Sequence, residues 1–129
     1  MGKNKLSQEA PNSRVNCYNC GVIIILKKRA VKNEIKKMSE DFDGYIKLVV
    51  DVEEEILAGG GKRHFEAEQK LIKEGSSQAN LCGGGLDWQT RQIDYNSIIN
   101  LRPGVNPSRD ILSETVRKKF DKIVKDLLL

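Results

Sequence analysis

From residue 45 to residue 53 the chain alternates: Ile46, Leu48, Val50 and Val52 fall on one side of an extended strand, and Lys47, Asp51 and Glu53 on the other, with Val49 between them. A strand patterned this way requires neighbouring strands and a layer over its apolar face, so it confines the chain to folds in which a sheet is packed by something else. The flanking segments suggest what that layer is. Residues 22–26, VIIIL, read as a buried strand, and Val31, Ile35, Met38 and Phe42 then recur at helical spacing until Asp43 and Gly44 end the helix. Residues 91–101 alternate again, with Ile93, Tyr95, Ser97, Ile99 and Leu101 opposite Gln92, Asp94, Asn96, Asn100 and Arg102, and Pro103 stops the strand. Ser113 is a suitable N-cap for a last helix with the stripe Val116, Phe120, Ile123, Val124 and Leu127. The expectation is an α+β fold, a mostly antiparallel sheet with two helices packed on one face.

Between these elements lies AGGGKRHFEAEQ, residues 58–69, where three glycines precede the only histidine. Ile56 and Ala58 extend the preceding strand toward the glycines, and Phe65, Ala67 and Leu71 then alternate with His64, Glu66, Glu68 and Lys70. Glycine accepts positive φ without steric cost, so the run reads as a hairpin or sharp bend. A phosphate loop does not fit: the Walker pattern needs Gly in place of Ile56 and Ser or Thr in place of Arg63, and G-x-G-x-x-G needs Gly in place of His64. A helix over residues 65–73 is the other reading, and either way His64 and Glu68 share a face. Gly75 and Ser76 mark the next turn, and the glycine-rich segment 80–85 leads to another at Asp87.

A length of 129 residues makes a single domain, expected over residues 21–129. Residues 1–20 are polar, hold Pro11 and Asn12, and show no period, so they read as a disordered extension. The net charge of +4 is concentrated near that end: residues 1–29 carry six basic side chains against Glu9, which leaves 16 basic and 17 acidic side chains in the rest. The body lacks the basic footprint of a nucleic-acid-binding surface, and nucleic-acid binding would have to use residues 1–29. The apolar run at 22–26 is too short to span a bilayer and is followed by Lys27, Lys28 and Arg29, so a membrane is not expected and the location is expected to be cytoplasmic. Cys17 and Cys20 have the spacing of half a zinc site or of a redox pair, but the remaining soft ligands are Cys82 and His64.

Two classes of function fit. The first is a binding or regulatory module that presents a polar sheet face to a protein or a small ligand. The second is a hydrolase-like or metal-assisted enzyme, with His64, Glu68 and Asp51 as catalytic candidates and with His64, Glu66 and Glu68 as ligands of a divalent metal. Asn100 and Arg102 are the ligand-binding candidates, Arg102 as an anion clamp. If alternation holds throughout, Asp51, His64, Glu68, Asn100 and Arg102 share one sheet face. The binding module is the favoured class because no nucleophile stands beside an evident base.

IKLVVDVEEEILAGGGKRH, the following EGSSQANLCG, and YNSIINLRP with its terminal helix together resemble a small family of bacterial and archaeal proteins classed as a domain of unknown function, over about residues 22–128. Members of that family typically read H-A-D-x-E where this chain has His64, Phe65, Glu66 and Glu68, and have Trp at the position of Cys82. The resemblance implies a shared fold and no particular activity.

Overall fold

The computed structural model describes residues 15–18 and 21–129. Among them are strands β1 (Val15–Tyr18), β2 (Gly21–Leu26), β3 (Tyr45–Asp51), β4 (Ile56–Gly60), β5 (Leu81–Asp87) and β6 (Gln92–Asp94), and helices α1 (Lys32–Met38), α2 (His64–Lys73) and α3 (Glu114–Leu128). The strands form one sheet in the order β1-β2-β4-β3-β5-β6, and every neighbouring pair is antiparallel. The alternation that opens at residue 45 sets its two faces. Ile46, Leu48 and Val50 join Ile24, Leu26, Leu57 and Leu86 beneath Met38 of α1 and Phe120, Ile123, Val124 and Leu127 of α3. The α+β class is therefore correct, and α1 and α3 do pack on one face. Ser113 caps α3 as expected, its hydroxyl accepting from the Val116 amide at 3.2 Å.

The opposite face is covered too. Val49, Ile23, Ile25, Ala58 and Leu81 pack against Ala67 and Leu71 of α2, so the open polar sheet face expected of a binding module is not present. Residues 64–73 are a helix and not a strand, because the buried set Ala67, Glu68 and Leu71 follows the helical period and the segment up to Leu71 holds no β-branched residue. Both periods place His64 and Glu68 together, which is why the pattern alone did not separate them. Because β4 and β5 each pair antiparallel with β3, they run parallel to one another, and α2 links them across β3.

The glycine run does not make a hairpin. Gly59 and Gly60 end β4, and Gly60 and Gly61 have φ of 99° and 78°, which turn the chain into α2. The hairpin lies earlier, at residues 52–55, where Asp51 pairs with Ile56. Its organiser is the Asp51 carboxylate, whose Oδ1 accepts from the amides of Glu53 and Glu54 at 3.0 and 2.9 Å, while Glu55 takes a φ of 60°. The strand expected over residues 91–101 is also shorter: β6 ends at Asp94, and a 3₁₀ turn, Ile98–Asn100, follows.

The glycine-rich segment is β5, which pairs along its whole length with β3. Its glycines admit close neighbours: a Cβ on Gly83 would lie 2.5 Å from Ser97 Cβ, one on Gly84 would lie 2.7 Å from Phe120 Cζ, and one on Gly85 would collide with the Tyr45 ring. Of the extension expected over residues 1–20, residues 15–18 are described, and there an edge strand pairs with β2 from Val15↔Ile24 to Tyr18↔Gly21. The remainder of that expectation, and Cys20 of the Cys17 and Cys20 spacing, lie outside the described residues. Among the described residues no helix is long and apolar enough to cross a membrane. Gly83→Ala should lower unfolding free energy by about 1–3 kcal/mol, the usual range for overpacking, as measured by urea denaturation.

Candidate functional site

The first residue of α2 is His64, and its Nε2 lies 2.6 Å from the carbonyl oxygen of Gly84. A ring nitrogen facing a carbonyl is the protonated one, so Nε2–H donates and Nδ1 keeps its lone pair. The imidazole reaches this backbone because Gly83 and Gly85 put no side chain on that face. Tyr45 lies over Gly85 instead, and its hydroxyl donates to Asp94 Oδ2 at 2.6 Å. Burial pushes the His64 pKa below 6.5; the Gly84 carbonyl opposes this, Lys47 and Arg109 add to it, and Asp94 opposes it. Burial and the hydrogen bond to Asp94 hold the Tyr45 phenol well above its usual range.

The remaining expected site residues separate. Asp51 is fully buried, and besides organising the hairpin it accepts from the Ser76 hydroxyl at 2.7 Å through Oδ2, which ties the exit of α2 to the turn. Glu68 shares the sheet-facing side of α2 with His64 and is 4% exposed, with Gln78 Nε2 at 3.5 Å. Glu66 lies two positions from His64, roughly 200° around the helix, so the set His64, Glu66 and Glu68 does not converge. Among the described residues no group of three or more His, Cys, Asp and Glu is placed to hold a metal ion. That corrects the metal candidates: a motif drawn together on paper is spread around a helix.

Asn100 and Arg102 read the edge of β5. Beyond the three residues that pair with β6, the outward backbone groups of β5 need other partners. Asn100 supplies them as a short strand would: Oδ1 accepts from the Gly83 amide at 2.8 Å, and Nδ2 donates to the Gly83 carbonyl at 2.9 Å. The same Nδ2 reaches the carbonyls of Tyr95 and Arg109 at 2.8 and 2.9 Å, which closes the loop between β6 and α3. Arg102 continues along the edge, with Nη2 donating to the Leu81 and Gln78 carbonyls at 2.5 and 3.0 Å and Nη1 to Ala79 at 3.5 Å. His64 acts on the face beneath α2 while Arg102 works at the strand edge, so the five expected residues do not form one site.

Arg102 does border a cavity of about 170 Å³ between this loop and α3. Val52, Ile111 and Val116 make its apolar wall, and Asn106 and Ser113 its polar rim. Cys82 also lines it, on the α1 and α3 side of the sheet, so the sheet separates the thiol from His64. Burial raises the Cys82 pKa; Arg102 lowers it and Asp51 raises it. At neutral pH this is a thiol and a poor nucleophile.

Cys82 and Asn106 were missed as lining residues, since they converge only through the fold of the 95–112 loop. The turn signal at Pro103 and Gly104 was legible: Gly104 has a φ of 79°, and Asn106 Nδ2 closes the loop on the carbonyls of Asn100, Ser108 and Asp110, each at 2.9 Å. Lys47 and Tyr45 stand on the face beneath α2, a position that their alternation allowed but did not single out.

Two outcomes follow. Asn100→Asp places a charge against three carbonyls and should cost about 3–5 kcal/mol in chemical denaturation. His64, with its folded pKa below the unfolded 6.5, binds fewer protons folded than unfolded in between. Its contribution is therefore complete above pH 6.5 and is lost as pH falls toward the folded value. His64→Gln keeps an N–H for Gly84, so its stability should decline less than that of the wild type over this window.

No curated protein and no solved structure matches the chain. One family model does, from within β2, across α1, α2 and the four strands from β3 to β6, to residue 127 near the end of α3. By that match over residues 24–127, the chain belongs to the family described as "Protein of unknown function (DUF5674)".

Proposed function

We propose that the domain is a cytoplasmic binding module for a compact carboxylate, taken in the cavity beside Arg102. The observation that carries this reading is the state of the Arg102 guanidinium. Three backbone carbonyls fix it at the cavity wall, yet among the described residues it has no carboxylate partner. Carbonyls orient a guanidinium without neutralising it, so the charge is held ready for an anion whose apolar part meets Val52, Ile111 and Val116. The cavity volume of about 170 Å³ restricts the ligand to a small one. Binding is preferred to catalysis because the cavity offers a protonated thiol with no base beside it, His64 being on the other face of the sheet. The buried free thiol of Cys82 suits a reducing compartment, in keeping with the cytoplasmic location.

Cys82 reports on occupancy. In a Cys17→Ser, Cys20→Ser background, its alkylation should slow in the presence of small carboxylic acids that fit the cavity, and not with their neutral amides. An acid at a hundredfold its Kd should add about 2.7 kcal/mol of stability. Arg102→Gln should remove both effects. Equal protection by acids and amides, or unchanged labelling across a panel of short aliphatic acids, overturns the reading.

A further inference from the structure

A second groove, beside α1 and the end of β5, involves none of the site residues considered so far. It has a volume of about 360 Å³ and is lined by Lys32, Ile35, Lys36 and Ser39 of the α1 region and by Trp88, the only tryptophan in the chain. Lys32 and Lys36 are one helical turn apart and so lie on the same side of α1. Trp88 follows β5 directly and is half-buried, its backbone amide donating to Gly44 at 2.9 Å. Arg91 brings a third cation to the same ring, its guanidinium stacking 4.0 Å from the ring centre. The turn that presents both side chains is closed by Asp87, whose Oδ1 accepts from the amides of Gln89 and Thr90 at 3.0 and 3.2 Å.

Among the described residues none of Lys32, Lys36 and Arg91 has a carboxylate partner. Lys32 and Lys36 in the groove, with Arg91 stacked on the half-buried indole beside them, form a surface for a ligand with an aromatic plane and a negative charge. The groove falls at the small end of the usual range for small-molecule sites. Its other wall, Ile35, supplies apolar contact for a ring, and Ser39 is already turned to its own helix, its hydroxyl donating to the Lys36 carbonyl at 2.9 Å.

We propose that this groove binds a mononucleotide, with the base against Trp88 and the phosphate between Lys32 and Lys36. A free nucleotide is favoured over a strand of nucleic acid because the hundred residues from 30 to 129 carry one net negative charge, and a strand would need a basic track beyond the groove.

Because Trp88 is the only tryptophan, its fluorescence reads this site alone. The full chain would be titrated with AMP, GMP, CMP and UMP, and in parallel with adenosine, ribose 5-phosphate, inorganic phosphate and a short single-stranded oligonucleotide. At least one mononucleotide should quench saturably, with adenosine at least about tenfold weaker, the scale of a lost charge-assisted hydrogen bond, and with ribose 5-phosphate and phosphate silent. Lys32→Gln and Lys36→Gln change exposed side chains, leave the fold intact by circular dichroism, and should each weaken binding roughly tenfold. Lys118→Gln on α3 should have no effect. The proposal is overturned by silence of all four mononucleotides, by equal quenching with phosphate alone, by lysine variants that bind as the wild type does, or by an oligonucleotide that binds more tightly than any mononucleotide. Carboxylate binding beside Arg102 involves other residues, so either site can fail without the other.

Discussion

Three side chains from three different elements hydrogen-bond to the backbone of one strand, and much of the molecule is arranged by that fact. His64 reaches the Gly84 carbonyl from the N-terminus of α2, Asn100 takes both the amide and the carbonyl of Gly83 from the 3₁₀ turn, and Arg102 holds the Leu81 carbonyl from the loop beyond. The contacts of His64 and Asn100 fall where β5 is bare. Side chains at Gly83 and Gly85 would occupy the space of Ser97 and Tyr45, and one at Gly84 would displace Phe120. Three consecutive glycines weaken a strand through backbone entropy. The strand persists because β3 pairs with it along one edge, while β6, Asn100 and Arg102 satisfy the other.

This arrangement alters the meaning of the polar residues that first suggested chemistry. Asp51, Asn100 and Arg102 are polar residues in or beside apolar segments, which is also the profile of groups that satisfy buried backbone. Asp51 builds a turn and receives Ser76, and Asn100 closes a fourteen-residue excursion back onto the sheet edge, as the Asn96 and Asp110 bridge shows. Arg102 alone retains something further, because backbone carbonyls leave its charge uncompensated. The two grooves accordingly lie where cations face open volume, at the loop against α3 and at α1 beside Trp88.

The sheet also partitions the reactive groups. The Cys82 side chain belongs to the core under α1 and α3, while His64 reaches the backbone carbonyl of Gly84 from the layer under α2. The Cys82 thiol and the His64 imidazole, which meets the strand two residues further on, are thus kept apart, and burial holds the one protonated and the other neutral at neutral pH. Both shifts follow from desolvation, which disfavours the charged form of either group.

The sequence by itself determined the elements whose side chains have a period. β3, α1 and α3 were legible because part of their residues must be apolar in a fixed rhythm, β2 because an unbroken apolar run marks a strand buried on both faces, and the capping by Ser113 is a local hydrogen bond that needs no distant partner. The class of fold and the packing of α1 with α3 on one face follow from those rhythms. Tertiary structure decided the rest. Residues 64–71 satisfy a helix and a strand equally in their apolar pattern, and the packing of Ala67 and Leu71 with Val49 and Ala58, together with the lack of β-branched residues, selects the helix. The 83–85 glycines have no side chain and so no pattern, and they are a strand because β3 supplies a template and because Ser97, Tyr45 and Phe120 fill the space above and below them. The division of the expected site has the same origin: alternation fixes which side of its own strand a residue takes, but the placement of a helix or loop relative to that strand depends on contacts between segments far apart in the chain.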